Sequence, residues 1–544
     1  MHPLDLVEAA PWKRVVFTTY ALSLSFVEAI ILERLVRGGG RGVTILSDPE
    51  GVRAGLSEQG ARRAGRDYEL EPVACSTGVF HPKLGLFFDG NDAHMLVGSG
   101  NLTFGGWGMN LEAIEHIHPS FAAEAFDDAA DFFDLMGISE TIRCGVNGRF
   151  AEIAEELRRS ASGAPRRGDF RLLHSVGNSI GEQLAELSDG LGGAQSLTVV
   201  SPYFDVTGSA VTQLAEQLGC DDVSLHVHPT SPVRGLMGTN WPNAISANPV
   251  CVDDPFGRDG RHLHAKCFEI ICRRGRLLMT GSANATQSAL KAGNVEASLV
   301  RIQRNSFVGW TTTPCDPPVH IPLDPDEEET DKECRLGVLR AVLEGDRIQG
   351  MVLTPSLYGA AQLYLVLSTS RVDLGEVMLD DSGKFDAATP GVETNTWGAG
   401  RMVVRIEQGE RAAEGFVSIA SAVEINRLAG AMAPRLFAML AGTETPDDVA
   451  AILTWFKEEP QSMLQVSPAG SGSHTELARA PVWVTIEALH SMDSQQHPQS
   501  TSDARSGPAW QRALLLVRSA FSARRGPWTS GTDQDEEADE DRES

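Results

Sequence analysis

The stretch His81 to Glu112 reads HPKLGLFFDGNDAHMLVGSGNLTFGGWGMNLE, and its pattern returns at His264 to Glu296 as HAKCFEIICRRGRLLMTGSANATQSALKAGNVE. In each copy a His is followed two residues later by a Lys, Lys83 and Lys266. Fifteen residues after the Lys begins a Gly-Ser-small-Asn turn, Gly98, Ser99 and Asn101 in the first copy and Gly281, Ser282 and Asn284 in the second. Each copy closes on Asn-x-Glu, Asn110 with Glu112 and Asn294 with Glu296. A single His-x-Lys says little, because a satisfied structural histidine is its usual explanation. Two copies in register over some thirty residues, agreeing at eight polar or small positions, define an internal repeat.

The pattern also says what these residues can do. A His and a Lys two apart on a strand point to the same side. The apolar runs Leu84 to Phe88 and Cys267 to Cys272 continue that strand. Asp89-Gly90-Asn91 and Arg273-Arg274-Gly275 then turn it into a hairpin, whose returning strand delivers Ser and Asn beside the His. A cation, an amide, a hydroxyl and an imidazole gathered at one spot suit a phosphate group. Lys83, Ser99, Asn101, Lys266, Ser282 and Asn284 are the expected phosphate-binding residues. His81 and His264 can attack or move a proton, and Glu112 and Glu296 can each hold the His of its own copy in one tautomer.

On these residues the sequence resembles the phospholipase D superfamily, over roughly residues 10 to 310. That family places two His-x-Lys motifs across a pseudo-two-fold axis. Its usual pattern carries an Asp after the Lys, where this chain has Phe88 and Ile271. The variant without that Asp is similar to tyrosyl-DNA phosphodiesterases and to bacterial nuclease-like members. The resemblance implies an α/β fold, a duplicated α/β/α sandwich. It further implies a metal-independent phosphodiesterase with no cofactor, which works through a phosphohistidine. His81, Lys83, Asn101, Glu112, His264, Lys266, Asn284 and Glu296 become the expected catalytic set. The N-terminal copy has the attacking role in the tyrosyl-DNA relatives, which puts His81 forward as nucleophile.

At 544 residues the chain exceeds what one core supports, so several domains are expected. The half-domains are read as 1–150 and 151–310, each with strand, helix and strand ahead of its motif (RVVFTTYAL, SFVEAIILERLVR and RGVTILSD; then SLTVVSPYFD, SAVTQLAEQL and DVSLHVHP). TTY (18–20) and SPYFD (201–205) occupy matching strand ends and either line the cleft or form structural turns. Residues 120–190 read as mainly helical. The Pro-rich acidic segment 311–333 reads as a linker, and 334–460 as a β-rich, sandwich-like domain ending in two helices. Residues 461–544 read as a polar tail with one amphipathic piece and an acidic end expected to be disordered.

Charge and cysteine usage narrow the class. The net charge is −27, yet residues 1–150 carry 12 Lys/Arg against 20 Asp/Glu, and residues 151–310 carry 15 against 16. Most of the acidity therefore falls after residue 310. It speaks to solubility and long-range steering more than to a local groove. No general basic footprint is present. The eight cysteines show no CxxC spacing, and the 14 histidines give no recognisable ligand set. His94, His116, His118 and His262 break the repeat and read as structural or surface residues. Without a signal peptide or an apolar run of about 20 residues, the reading is a cytoplasmic protein with no membrane span.

The expected function is a nuclease or DNA-end-processing phosphodiesterase, with nucleic acid, DNA above all, as substrate. Family analogy adds a bacterial defence or repair assembly, in which the C-terminal region recruits a helicase or other protein partner. Two alternatives stay open. A phospholipase or phosphatidyltransferase would need an apolar entrance, hinted at by Trp107 and Trp241. A catalytically weak nucleic-acid-binding or scaffold subunit is the other.

Overall fold

The computed structural model describes residues 2–145, 147–226, 228, 233–235, 246–252, 261–304, 312–314, 320–321, 336–367, 370–389 and 401–458. The expected tail 461–544, Trp241 and all but five residues of the linker 311–333 lie outside them. The chain forms two compact units, Met1–Ala433 and Pro434–Ser544.

In the first unit, apolar runs buried on both faces build the centre of a sheet. Its strands are β1 (Arg14–Thr19), β2 (Val43–Ser47), β3 (Glu69–Cys75), β4 (Leu84–Phe88), β5 (Ala93–Gly98), β6 (Ile114–Ile117) and β7 (Ile142–Cys144). They lie in the order β6-β5-β4-β1-β2-β3-β7. β1, β2 and β3 are mutually parallel, and β1 is antiparallel to β4.

The second copy uses β8 (Phe170–His174), β9 (Ala194–Val200), β10 (Val223–His226), β11 (Val233–Arg234) and β12 (Ser246–Val252). It continues with β13 (Cys267–Cys272), β14 (Gly275–Gly281), β15 (Ala297–Gln303), β16 (Thr312–Pro314) and β17 (His320–Ile321). β11 and β17 pair separately. The others run β16-β12-β10-β9-β13-β14-β15-β8. Apart from the added edge strand β8, this is the order of the first sheet, with β9 parallel to β10 and antiparallel to β13. The repeat read from 32 residues is thus a repeat of whole sheets.

The expected helical stretch 120–190 is helical at Pro119–Ile138, Asn147–Ala161 and Ile180–Gly190, but β7 and β8 interrupt it. Both are short edge strands, fixed by their partners β3 and β15 and not by a pattern of their own. The helix Pro119–Ile138 begins with Pro behind the capping side chain of His118. Its alanines at 122, 123, 125, 129 and 130 let it lie close, so that Phe126, Phe132 and Phe133 are buried completely. Each such aromatic contributes about 1.5–3 kcal/mol by burial.

The β-rich expectation is met by one sheet of seven strands: β18 (Gly337–Glu344), β19 (Arg347–Thr354), β20 (Gly359–Leu367), β21 (Arg371–Leu379), β22 (Lys384–Ala388), β23 (Met402–Gln408) and β24 (Arg411–Ile419). Their order is β21-β20-β23-β24-β18-β19-β22. The two edge strands, β21 and β22, are neighbours in the chain, joined by the turn around Gly383.

The sheet lies in the same compact unit as the repeat. Arginines account for this. Arg53 donates to Leu336 O at 2.7 Å, Arg143 to Val352 O at 2.9 Å and Leu353 O at 3.1 Å, and Arg340 pairs with the buried Glu71. Arg401 donates to the carbonyls of Leu56 and Glu58. The helix Ala420–Ala429 closes the unit. In the second unit, Arg435 bonds Asp448 on the helix Pro446–Glu458 at 3.3 Å. Among the described residues no helix is long and apolar enough to cross a membrane.

Candidate active site

The two copies exchange backbone at the site. Phe80 bridges to Val295 and Leu111 to Leu263. His81 N donates to Val295 O at 2.8 Å, and Ala265 N to Leu111 O at 2.9 Å. The lead-in to each His therefore lies along the end of the other copy's motif. His81 and Lys83, like His264 and Lys266, sit in this extended lead-in just ahead of β4 and β13, and not in the strands themselves.

This exchange overturns one expectation, that each Glu holds the His of its own copy. His81 Nδ1 lies 2.8 Å from Glu296 Oε2, and His264 Nδ1 lies 2.8 Å from Glu112 Oε1. The pairs are crosswise because the backbone is. Each motif builds a pocket for its own carboxylate and offers that carboxylate to its twin.

The pocket explains the rest of the motif. Ser99 donates to Glu112 and Ser282 to Glu296. Asn110 and Asn294 each donate from Nδ2 to their Glu at 3.2 Å. Each Ser also accepts a backbone N–H at 3.0 Å, from Ala113 and Ala297 respectively. Ser99 and Ser282 were expected on phosphate, but their hydroxyl protons are spent on the carboxylates. The glycine before each Ser is required by close approach. A Cβ on Gly98 would lie 2.7 Å from Ala113 O, and one on Gly281 would lie 2.6 Å from Ala297 O.

Both lysines are buried and donate to the carbonyl of their own His at 2.7 Å, Lys83 to His81 O and Lys266 to His264 O. Lys266 Nζ also lies 3.0 Å from His264 Nε2. The turn amides differ between copies. Asn101 Oδ1 accepts from Ala21 N at 3.1 Å, whereas Asn284 Oδ1 is buried with no partner among the described residues.

Six ionisable groups buried together shift one another. Burial pushes the His81 imidazole down to about 4, against the pull of Glu296. Burial also lowers His264, against Glu112. The Lys83 ammonium falls well below its ordinary range by burial, and Lys266 falls to about 8. Burial alone would raise the two carboxyls, but His264 holds Glu112 below the usual range and His81 does the same for Glu296. The stable free state is thus a neutral imidazole donating Nδ1–H to an ionised carboxylate, which leaves the Nε2 lone pair of His81 available while that of His264 faces Lys266 Nζ.

Some site residues were not legible in the sequence. Asp48 at the end of β2 accepts from Phe80 N at 2.8 Å and Glu50 N at 2.9 Å, and so fixes the backbone next to His81. Burial raises its carboxyl to about 6. A signal existed, since carboxyl ends of parallel strands are where α/β sites gather. By strand register the matching position in the second copy is His228, also buried. Thr19 and Ser201 match likewise, accepting from Leu102 N at 3.0 Å and Ala285 N at 3.1 Å. Within TTY, the Tyr20 ring lies 5.4 Å from the His81 ring. Within SPYFD, Asp205 caps the helix Gln287–Leu290 by accepting from Gln287 N. Trp107, weighed as an apolar entrance, is instead core, with its ring 5.9 Å from Phe17 and 6.0 Å from Phe26.

No protein-family model and no curated protein matches the chain. Among solved structures it is similar to yeast tyrosyl-DNA phosphodiesterase, at 12% identity and a TM-score of 0.41, covering 56% of this chain and 87% of that one. A polyphosphate kinase from Porphyromonas gingivalis is similar at 15% identity and a TM-score of 0.29, over 55% of this chain and 41% of that one. What the site can do follows from its own geometry.

Proposed function

We propose that the chain is a metal-independent phosphodiesterase of the phospholipase D type that cleaves nucleic acid, DNA ends above all, through a phosphohistidine. The observation that supports it is the crosswise pairing of two neutral histidines with two buried carboxylates, between two buried lysines. A phosphodiester anion arriving there restores protons to the lysines and to one imidazole, because an opposite charge favours the charged form.

His81 is the nucleophile in this reading. Its Nε2 has no hydrogen-bond partner among the described residues, and its Nδ1–H is held by Glu296. Nε2 attacks phosphorus as the bond to the leaving oxygen breaks, and His264, protonated on substrate binding, gives its proton to that oxygen. Neutral His264 then takes a proton from water, whose oxygen attacks phosphorus and breaks the P–N bond. Lys83, Lys266, Asn101 and Asn284 stabilise the non-bridging oxygens. Because residues 1–310 carry no general basic footprint, the reading includes a partner that supplies the grip on DNA. It would be a helicase or other protein held by the C-terminal region, in a cytoplasmic defence or repair assembly.

The test uses full-length protein in excess EDTA. Single-stranded DNA carrying a 3′ aryl phosphodiester should be turned over, while phosphatidylcholine vesicles should not. Turnover of lipid alone, or strict metal dependence, would overturn the reading.

A further inference from the structure

The turn between β4 and β5 ends at Asp92, and the sequence DAH (92–94) returns on the neighbouring strand as HIH (116–118). β5 and β6 pair antiparallel with Met95 opposite Ile117 and Leu96 opposite His116. One step along that register, His94 stands opposite His118, and alternation along β6 puts His116 on the same face. Three imidazoles and a carboxylate, scattered in sequence, thus gather at the outer edge of the first sheet.

The contacts are those of a ligand set. His94 Nε2 lies 3.3 Å from Asp92 Oδ2, and His118 Nε2 lies 2.5 Å from Asp92 Oδ1. The three donor atoms all fall within 4.8 Å of one another. The nitrogens pointing away are engaged as second partners of metal-bound imidazoles usually are. His94 Nδ1 lies 2.8 Å from His116 Nε2, with the rings only 9° from coplanar, and His118 Nδ1 lies 2.8 Å from Ser120 Oγ. Trp12 backs the His94 ring edge-on at 5.4 Å.

We propose that Asp92, His94 and His118 form a site for a divalent, zinc-like transition-metal ion, with His116 positioning His94, separate from the two-histidine centre. Two imidazoles and one carboxylate suit zinc or cobalt and leave a fourth place for water or another donor. Binding moves the His118 proton from Nε2 to Nδ1, where it is donated to Ser120 Oγ; the 3.2 Å cap bond from Ser120 N is given up in exchange. The ion ties the β4–β5 turn to the start of the helix Pro119–Ile138. The place is remote from the chemistry, since His94 lies five strand residues before Ser99, about 17 Å along an extended chain.

Cobalt titration of chelator-treated, full-length protein tests this by its visible absorption. One equivalent per chain should bind, and zinc should displace it. His94→Gln, His118→Asn and Asp92→Asn should each abolish the stoichiometric band; His118→Asn keeps a capping side chain and Asp92→Asn alters only an exposed turn, so the fold is retained. His116→Phe should weaken affinity roughly 10–100-fold, as loss of an outer partner does. His81→Ala and His264→Ala should bind cobalt as wild type does, and turnover of a generic phosphodiester should be unchanged in Asp92→Asn. Cobalt binding that survives the His94→Gln/His118→Asn double variant, or no stoichiometric binding to wild type, would overturn the proposal.

Discussion

The two half-sites are near copies in sequence and unequal in surroundings. Around His81 the carboxylate partner is wholly buried, Asp48 braces the preceding residue, Tyr20 stands beside the ring, and Asn101 is pinned by Ala21. Around His264 the imidazole is more exposed, Lys266 approaches its Nε2, the Asp48 position is His228, and Asn284 Oδ1 is unmatched among the described residues. The imidazole of the first half is the more deeply buried, and burial lowers both its His and its Lys. A duplicated motif can therefore supply two different chemical roles, one from a fixed neutral imidazole and one from an imidazole better placed to trade protons with water.

The sharpest way to break this comparison is to remove each imidazole in turn. His81→Ala should abolish turnover and leave no covalent label after mixing with an activated, labelled phosphodiester and quenching at high pH. His264→Ala should lose roughly 10²–10⁴-fold in turnover, the worth of general acid–base help, while label accumulates on His81. The opposite labelling would exchange the two halves. Strict metal dependence with no label on any form would dismiss the covalent route.

Next in size is the crosswise pairing. Glu296→Gln should act on His81 and Glu112→Gln on His264, each lowering kcat by roughly 10–100-fold as loss of an orienting partner does. The assignment is readable without activity, because the His81 ring resonances in an NMR spectrum should shift with Glu296→Gln and stay put with Glu112→Gln. Shifts following the copy each Glu belongs to would refute the exchange.

The pH profile separates the halves by a smaller margin. A lowered histidine is neutral above its pKa, so the acid limb of kcat/KM should fall near 4 for His81 and not near the ordinary 6.5. A lowered lysine loses its charge as pH rises through its pKa, so Lys266 should impose an alkaline limb near 8. Lys266→Arg, always charged, should flatten that limb in whatever activity remains. An alkaline limb that persists unchanged would place it on another group.

The smallest effect concerns the brace. Asp48→Ala leaves the buried Phe80 N–H without its acceptor, a loss of about 1–3 kcal/mol in stability. Thermal unfolding should register it, and Asp48→Ala, next to the lead-in of the attacking imidazole, should slow labelling of His81 more than His228→Ala does. Equal losses of turnover from both would mean that Asp48 gives the first half no special order.

The sequence by itself carried the repeat, the strand-helix-strand lead into each copy, and the identity of the histidines, lysines and glutamates that the fold draws together. Those are local patterns, and identical spacing in two places leaves them little freedom. It also carried the β-rich character of residues 337–419, because alternation and turn residues are local too. Only the tertiary structure decided which Glu serves which His. Spacing within a copy fixes distances along a strand, whereas the exchange of backbone at Phe80–Val295 and Leu111–Leu263 joins residues some 150 to 215 positions apart. Asp48, the edge strands β7 and β8, and the Asp92–His94–His118 cluster were hidden for the same reason. Each is defined by partners that the chain brings near only after its sheets have formed.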